Sequence, residues 1–297
     1  MTTPLATGDP SAAPSTPTAR RDAKPPPHEA PLSSQDEHDE RSRELPPFLR
    51  GVRAAFAFFT RIPVGGFPYD DRALAWAPAH APLVGAVLGA ALSALDACLL
   101  PLGAFPAATL VIGASMLLTG ALHEDGLADT TDALGGGHDK AKVFAILKDS
   151  RVGSFGAAAI AVSVLARAAL LGQMGQAGIA VLPMAWCAAR VGPVWLMAVL
   201  PYVTPGIAAK SERIVRARWR QALVASAWLI AGSACAVLQG WIAAPRAAFA
   251  AVAIAAIAAL TGWRYHRRAG GITGDFLGAT EQLGEIAALA VFAWPSR

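Results

Sequence analysis

The chain of 297 residues is 54% hydrophobic and 15% charged, against about 25% charged in a soluble domain. Its formal charge of +4 is concentrated in short stretches between apolar runs, which argues against nucleic-acid binding and for an orientation signal in a membrane. Cys98, Cys187 and Cys235 fall inside apolar runs with no CxxC or metal-type spacing, and they read as small buried hydrophobes.

The first ten residues, MTTPLATGDP, have no basic or apolar leader pattern, so no cleaved signal peptide is expected. Residues 1–47 are rich in Pro, Ser, Ala and alternating charge. Such a segment cannot bury enough apolar surface to offset its ordering entropy, which predicts a disordered cytosolic tail. Residues 48–297 then form one transmembrane catalytic domain. The stretch LRGVRAAFAFFTRIP predicts an amphipathic interfacial helix. Long apolar runs predict spans over 81–100, 105–122, 155–173, 179–203, 222–243 and 247–263, and a last helix over 276–294. The expected fold is all-α, a polytopic transmembrane bundle of about six to seven spans. Small residues such as those of GAVLGAALSA at 85–94 predict close helix packing. The connections PLGAF, GQAG and AAPR are short and nearly uncharged, whereas 124–151, 210–220 and 264–275 carry charge. All three charged connections and the tail fall on one side, which the positive-inside rule makes the cytoplasm.

The stretch at 123–156, HEDGLADTTDALGGGHDKAKVFAILKDSRVGSFG, concentrates the chemistry. Asp125, Asp129 and Asp132 are spaced i, i+4, i+7, within an arc of about 60° on a helix. Like charges on one face repel, and more so near a membrane. Carboxylates in a row with no His or Cys partner suit a hard cation such as Mg²⁺. The plain alternative is a solvated helix end with ordinary surface acids. Its neighbours weigh against that. Gly126 leaves room beside Asp125, and Gly135–Gly137 reads as a loop. Lys148, Asp149, Ser150 and Arg151 then bring back cations, an acid and a hydroxyl, followed by Gly153 and Gly156. Carboxylates for a metal, Lys and Arg for phosphate oxygens, and glycines for clearance together suit phosphoryl transfer. His123 is a candidate base or ligand, although a lone His at a span end is more often a packing residue.

A second acidic group, Asp275, Glu281 and Glu285, lies in GGITGDFLGATEQLGE. It is expected to join the first group in one cytosol-facing pocket, with Lys148 and Arg151 at the rim, because Gly270, Gly271, Gly274 and Gly278 clear space around the acids; the plain alternative is a local ion pair with Arg267 or Arg268. Arg167 and Arg190 sit inside apolar spans, and each needs an anionic partner.

At these residues the chain closely resembles the cobalamin synthase family, the adenosylcobinamide-GDP ribazoletransferases. The resemblance runs from about residue 56 to the C-terminus. It rests on FFTRIPV at 58–64, PLVGAVLG at 82–89, TGALHEDGLADTTDALGGG at 119–137, KDSRVGSFG at 148–156 and TGDFLGATEQLGE at 273–285. It implies a Mg²⁺-dependent, multi-pass inner-membrane enzyme with its site facing the cytoplasm. Such an enzyme joins adenosylcobinamide-GDP to α-ribazole or its 5′-phosphate, releasing GMP. Membrane lipid is an expected partner, nucleic acid is not, and homo-oligomerisation is left open. The implied metal ligands are Asp125, Asp129, Asp132 and Glu285. Asp129, Asp132, Lys148, Asp149 and Arg151 are the expected catalytic residues. Arg61, Gly126, Ser150, Arg190, Asp275 and Glu281 are placed on the substrate. Two rivals remain. A CDP-alcohol phosphotransferase would need an Arg after the Asp125-Gly126 pair, where LADT stands. An ion-coupled transporter would place its acids at mid-bilayer on broken helices.

Overall fold

The structure is a computed structural model, and it describes residues 45–65, 69–203 and 217–295. The expectations for the N-terminal tail and for most of the 210–220 connection lie outside the described residues. What is described is α-helical, with one isolated parallel bridge between Tyr202 and Ile272. The helix expected at the interface, α1, covers Pro47–Phe59 and starts on a proline, where the missing N–H goes unneeded. Its small face, Gly51, Ala54 and Ala55, is buried. A short α2 follows, Asp71–Leu74, capped by the Asp70 carboxylate, which accepts the Ala73 N–H.

The first long helix is α3, Ala81–Leu99, extended by 3-10 turns at both ends into an apolar segment over Ala77–Leu102. Next is α4, Ala104–Thr119. The expected span over 105–122 ends early, because Gly120 and Ala121 both take positive φ, 70° and 55°. That left-handed pair turns the chain by 92° into α5, Leu122–Gly136. The helix runs through Gly135 and Gly136, so only Gly137 ends it and the expected glycine loop is absent. If α4 crosses the membrane, α5 lies across the end of the bundle, and a polar helix there stays in reach of water. A shorter helix α6 covers Lys140–Leu147.

Four more apolar segments cross back and forth. They are α7 at Ser154–Met174, α8 with α9 at Gln176–Ala189 and Val191–Val199, α10 at Trp219–Leu238, and α11 at Ala244–Ala269. The last is α12, Gly274–Ala293. The segment read as one span over 179–203 is interrupted at Arg190. Pro193 supplies the reason: it has no N–H, and its ring crowds the carbonyl four residues back. The basic run WRYHRR is not a loop but the last turns of α11, which continues until Gly270 at φ 83°. Cations there complement the helix C-terminus. Among the described residues six segments are long and apolar enough to span a membrane, and there are seven if the bent α4–α5 pair counts as one span.

Burial follows the same logic. Large apolar side chains point outward on α7, α10 and α11, among them Val162, Leu165, Ile230, Val252 and Leu260, as lipid-facing helices require. Inside, α3 lies so close to α8 that a Cβ at Gly89 would come 2.7 Å from the Leu182 carbonyl oxygen. Of the cysteines, Cys187 is buried as expected, whereas Cys98 and Cys235 are exposed on outward faces of α3 and α10.

Candidate active site

The two acidic groups meet where α5 crosses α12. Gly126 and Gly278 form the crossing: a Cβ at Gly126 would lie 2.8 Å from the Asp275 carbonyl oxygen and 3.2 Å from the Gly278 Cα. Only glycine lets the backbones approach so closely, and the approach sets Asp125 beside Asp275. Thr273 caps α12 by accepting the Phe276 N–H, so Asp275 stands in the first turn of that helix. Asp129 is one turn further along α5, and the charges that repel it are those of Asp125, Asp275 and Asp132.

A cavity of about 160 Å³ opens at this crossing. Asp125, Asp275, Glu281, His123 and Arg190 supply its polar lining, and Phe58, Phe59, Pro193, Val194 and Met197 are among its apolar walls. Of the predicted site residues, the structure therefore brings Asp125, Arg190, Asp275 and Glu281 to one cavity. Gly126 forms the crossing that makes it, and Asp129 adjoins it. Arg61, Asp132, Glu285 and the 148–151 segment do not line it.

Each of those has a definite place. Arg61 sits over the α4–α5 bend, its N–H donating to the Leu118 carbonyl at 2.8 Å and its guanidinium packed on Gly120. Asp132 accepts the Gly153 and Gly156 N–H groups at 2.7 and 2.9 Å. Arg151 is exposed and lies against Asp149, with Nη2 to Oδ2 at 2.6 Å. That guanidinium pulls the Asp149 carboxyl down to about 2. Glu285 is buried, its Oε1 3.5 Å from Arg167 Nη1.

Beneath the cavity runs a buried polar network. Arg167 Nη2 donates to Glu124 Oε1 at 3.0 Å. Arg190 Nη1 lies 2.9 Å from Glu281 Oε1, and His123 Nδ1 lies 3.2 Å from Glu281 Oε2. Gln282 bridges Glu281 and Glu124 through its Nε2, at 3.2 and 3.4 Å, and accepts from Ser163 Oγ at 2.9 Å. Arg167 and Arg190 thus find the anionic partners their positions demanded. The local alternative does not form. Arg268 donates to the carbonyls of Leu134 and Gly137 at the end of α5, and Arg267 lies over the Trp263 ring. Glu124, Gln282 and Ser163 were not singled out from the sequence. The signal for Glu124 was its step of about 100° from Asp125 around the helix, which turns it from the cavity into the bundle.

Among the described residues, no three His, Cys, Asp or Glu side chains are grouped tightly enough to hold a metal ion. Mg²⁺ in phosphate-handling sites takes one or two carboxylates, with substrate phosphates and water completing its octahedron. Mutually repelling carboxylates at the mouth of a cavity fit that manner of binding. They do not fit an all-protein cage.

The fold and this cavity define a multi-pass helical membrane protein with an acidic cavity where two of its helices cross. The model of the cobalamin-5-phosphate synthase family matches residues 51–293, and the chain belongs to that family. It is 34% identical over 273 residues to the adenosylcobinamide-GDP ribazoletransferase of Albidiferax ferrireducens, covering 81% of this chain and 96% of the relative. It is 37% identical over 243 residues to that of Leptothrix cholodnii, covering 79% and 91%. No solved structure matches.

Proposed function

We propose that the enzyme is a Mg²⁺-dependent adenosylcobinamide-GDP ribazoletransferase of the inner membrane, with its cavity open to the cytoplasm. The observation that carries this reading is the glycine crossing of α5 and α12, which gathers Asp125, Asp129 and Asp275 at one cavity mouth. The hydroxyl of α-ribazole, or of its 5′-phosphate, forms a new P–O bond to the phosphorus that carries the corrinoid side chain. The bond from that phosphorus to the bridging oxygen breaks, and GMP leaves with the bridging oxygen. The hydroxyl proton passes to a carboxylate of the cavity mouth.

Asp125, Asp129 and Asp275 would hold Mg²⁺, which when bound neutralises the diphosphate and the leaving GMP. Arg190, already held by Glu281 and the Trp186 carbonyl, turns a fixed cation towards the phosphates. Lys148 and Arg151 meet the outer phosphate oxygens from the adjoining loop. The apolar walls exclude water and strengthen these interactions. The acids lie at a bundle end among cations rather than at mid-span, which favours transfer over ion-coupled transport.

The purified protein in lipid nanodiscs is expected to release GMP from adenosylcobinamide-GDP only when α-ribazole or its 5′-phosphate is added. Chelation by EDTA is expected to abolish release and excess Mg²⁺ to restore it. GMP release that ignores ribazole, or that survives EDTA, contradicts the reading.

A further inference from the structure

The three aspartates of α5 share a sequence pattern but not an environment. Asp125 is exposed and Asp129 half-buried, whereas Asp132 is buried. Both Asp132 oxygens are engaged, Oδ2 with the Gly153 N–H at 2.7 Å and Oδ1 with the Gly156 N–H at 2.9 Å. Those two amides belong to the start of α7, where N–H groups have no intrahelical partner and the helix dipole favours an anion. Gly153 itself offers no side-chain cap. The cap comes instead from a different helix, 21 residues earlier in the chain.

The glycines complete the contact. A Cβ on Gly153 or Gly156 would overlap the Asp132 carboxylate, so the carboxylate can sit on these amides only because both positions lack side chains. Immediately before them run Lys148, Asp149, Ser150 and Arg151, with Asp149 holding the Arg151 guanidinium through Nε and Nη2. The segment is thus tied to α5 by an anion at its C-terminal end, three residues from Asp129, beside the packing of the Phe155 ring on Gly135.

We propose that Asp132 is a positioning residue. It caps α7 and pins the 148–153 segment beside the acidic cavity mouth, so that Lys148 and Arg151 meet the anionic part of the substrate, and it holds no metal ion. This deepens the reading of the site given above and rests on it for the substrate. The clamp itself can be tested without turnover.

The experiment compares Asp132→Asn, Gly153→Ala and the unaltered protein, all in nanodiscs. The amide swap removes one acceptor, and the alanine displaces the carboxylate while leaving every aspartate in place. Both variants are expected to raise the KM for adenosylcobinamide-GDP by about tenfold to a hundredfold, the worth of one hydrogen bond to a charged group. The Mg²⁺ concentration for half-maximal rate at saturating donor should stay as in the unaltered protein. Trypsin should cut after Lys148 and Arg151 at least about tenfold faster in both variants, a readout that needs no activity. If the unaltered protein shows no transfer, the functional reading fails, and trypsin alone decides the clamp. A raised Mg²⁺ requirement in Asp132→Asn, with Gly153→Ala cut and turning over like the unaltered protein, would make Asp132 a ligand and overturn the proposal. If Asp132→Asn does not fold, Gly153→Ala decides: unchanged KM and unchanged cleavage overturn it.

Discussion

Asp129→Asn is expected to lower GMP release by a factor on the order of a hundred to a thousand, the typical loss when one preorganised electrostatic contact to the reacting group is removed. The protein should still insert and fold, because Asp129 is half-buried at the bundle end and outside the buried network. Its charge is repelled by Asp125, Asp275 and Asp132. Amide replacement therefore relieves repulsion in the empty site while weakening the hold on a divalent ion. The variant should be at least as heat-stable as the unaltered protein and far less active. Size exclusion in detergent checks folding, and a Mg²⁺ titration of GMP release checks the site. Turnover near that of the unaltered protein at saturating Mg²⁺ would remove Asp129 from the ligand set.

The second large effect falls on stability. Arg167 is fully buried between Glu124 and Glu285, at 3.0 and 3.5 Å. Arg167→Met strands two carboxylates in a span-lined interior. Breaking a buried ion pair by removing one partner costs about 3–5 kcal/mol. A large fall in the detergent unfolding temperature is expected, with little protein recovered. Adding Glu124→Gln and Glu285→Gln to Arg167→Met removes the stranded charges and should recover most of the loss, since apolar or neutral replacement of a whole buried set is often close to neutral. Thermal unfolding followed by tryptophan fluorescence checks both variants. An Arg167→Met protein as stable as the unaltered one would show that the network contributes nothing to the bundle.

These two residues also mark what the sequence could and could not disclose. The spans were legible because an apolar run of about twenty residues matches the thickness of a bilayer's hydrocarbon core and is longer than a soluble core helix needs. The aspartate helix was legible because its spacing repeats every helical turn. The partners of Arg167 and Arg190 were not. Each arginine demanded an anion, but the anion is chosen by which helices pack, and α5, α7, α8 and α12 are joined only in three dimensions. The nearby Arg267 and Arg268 offered the second acidic group a local alternative. They point instead to the end of α5 and to Trp263. The right-angled turn at Gly120 and Ala121 was only half marked: a glycine is an ordinary helix stop, but alanine rarely takes the positive φ that follows it here. Periodicity made Asp125, Asp129 and Asp132 equivalent, and only the start of α7 makes Asp132 different.

The proposed reaction needs one site shared by α5 and α12. It is tested most directly by a structure with Mn²⁺ in place of Mg²⁺ and a non-reactive analogue of adenosylcobinamide-GDP, the ion located by its anomalous scattering. A single peak is expected at the cavity mouth, at ligand distance from at least two of Asp125, Asp129 and Asp275, with the diphosphate between it and Arg190. A peak elsewhere, with Asp125 and Asp275 both free of ion and phosphate, would contradict it.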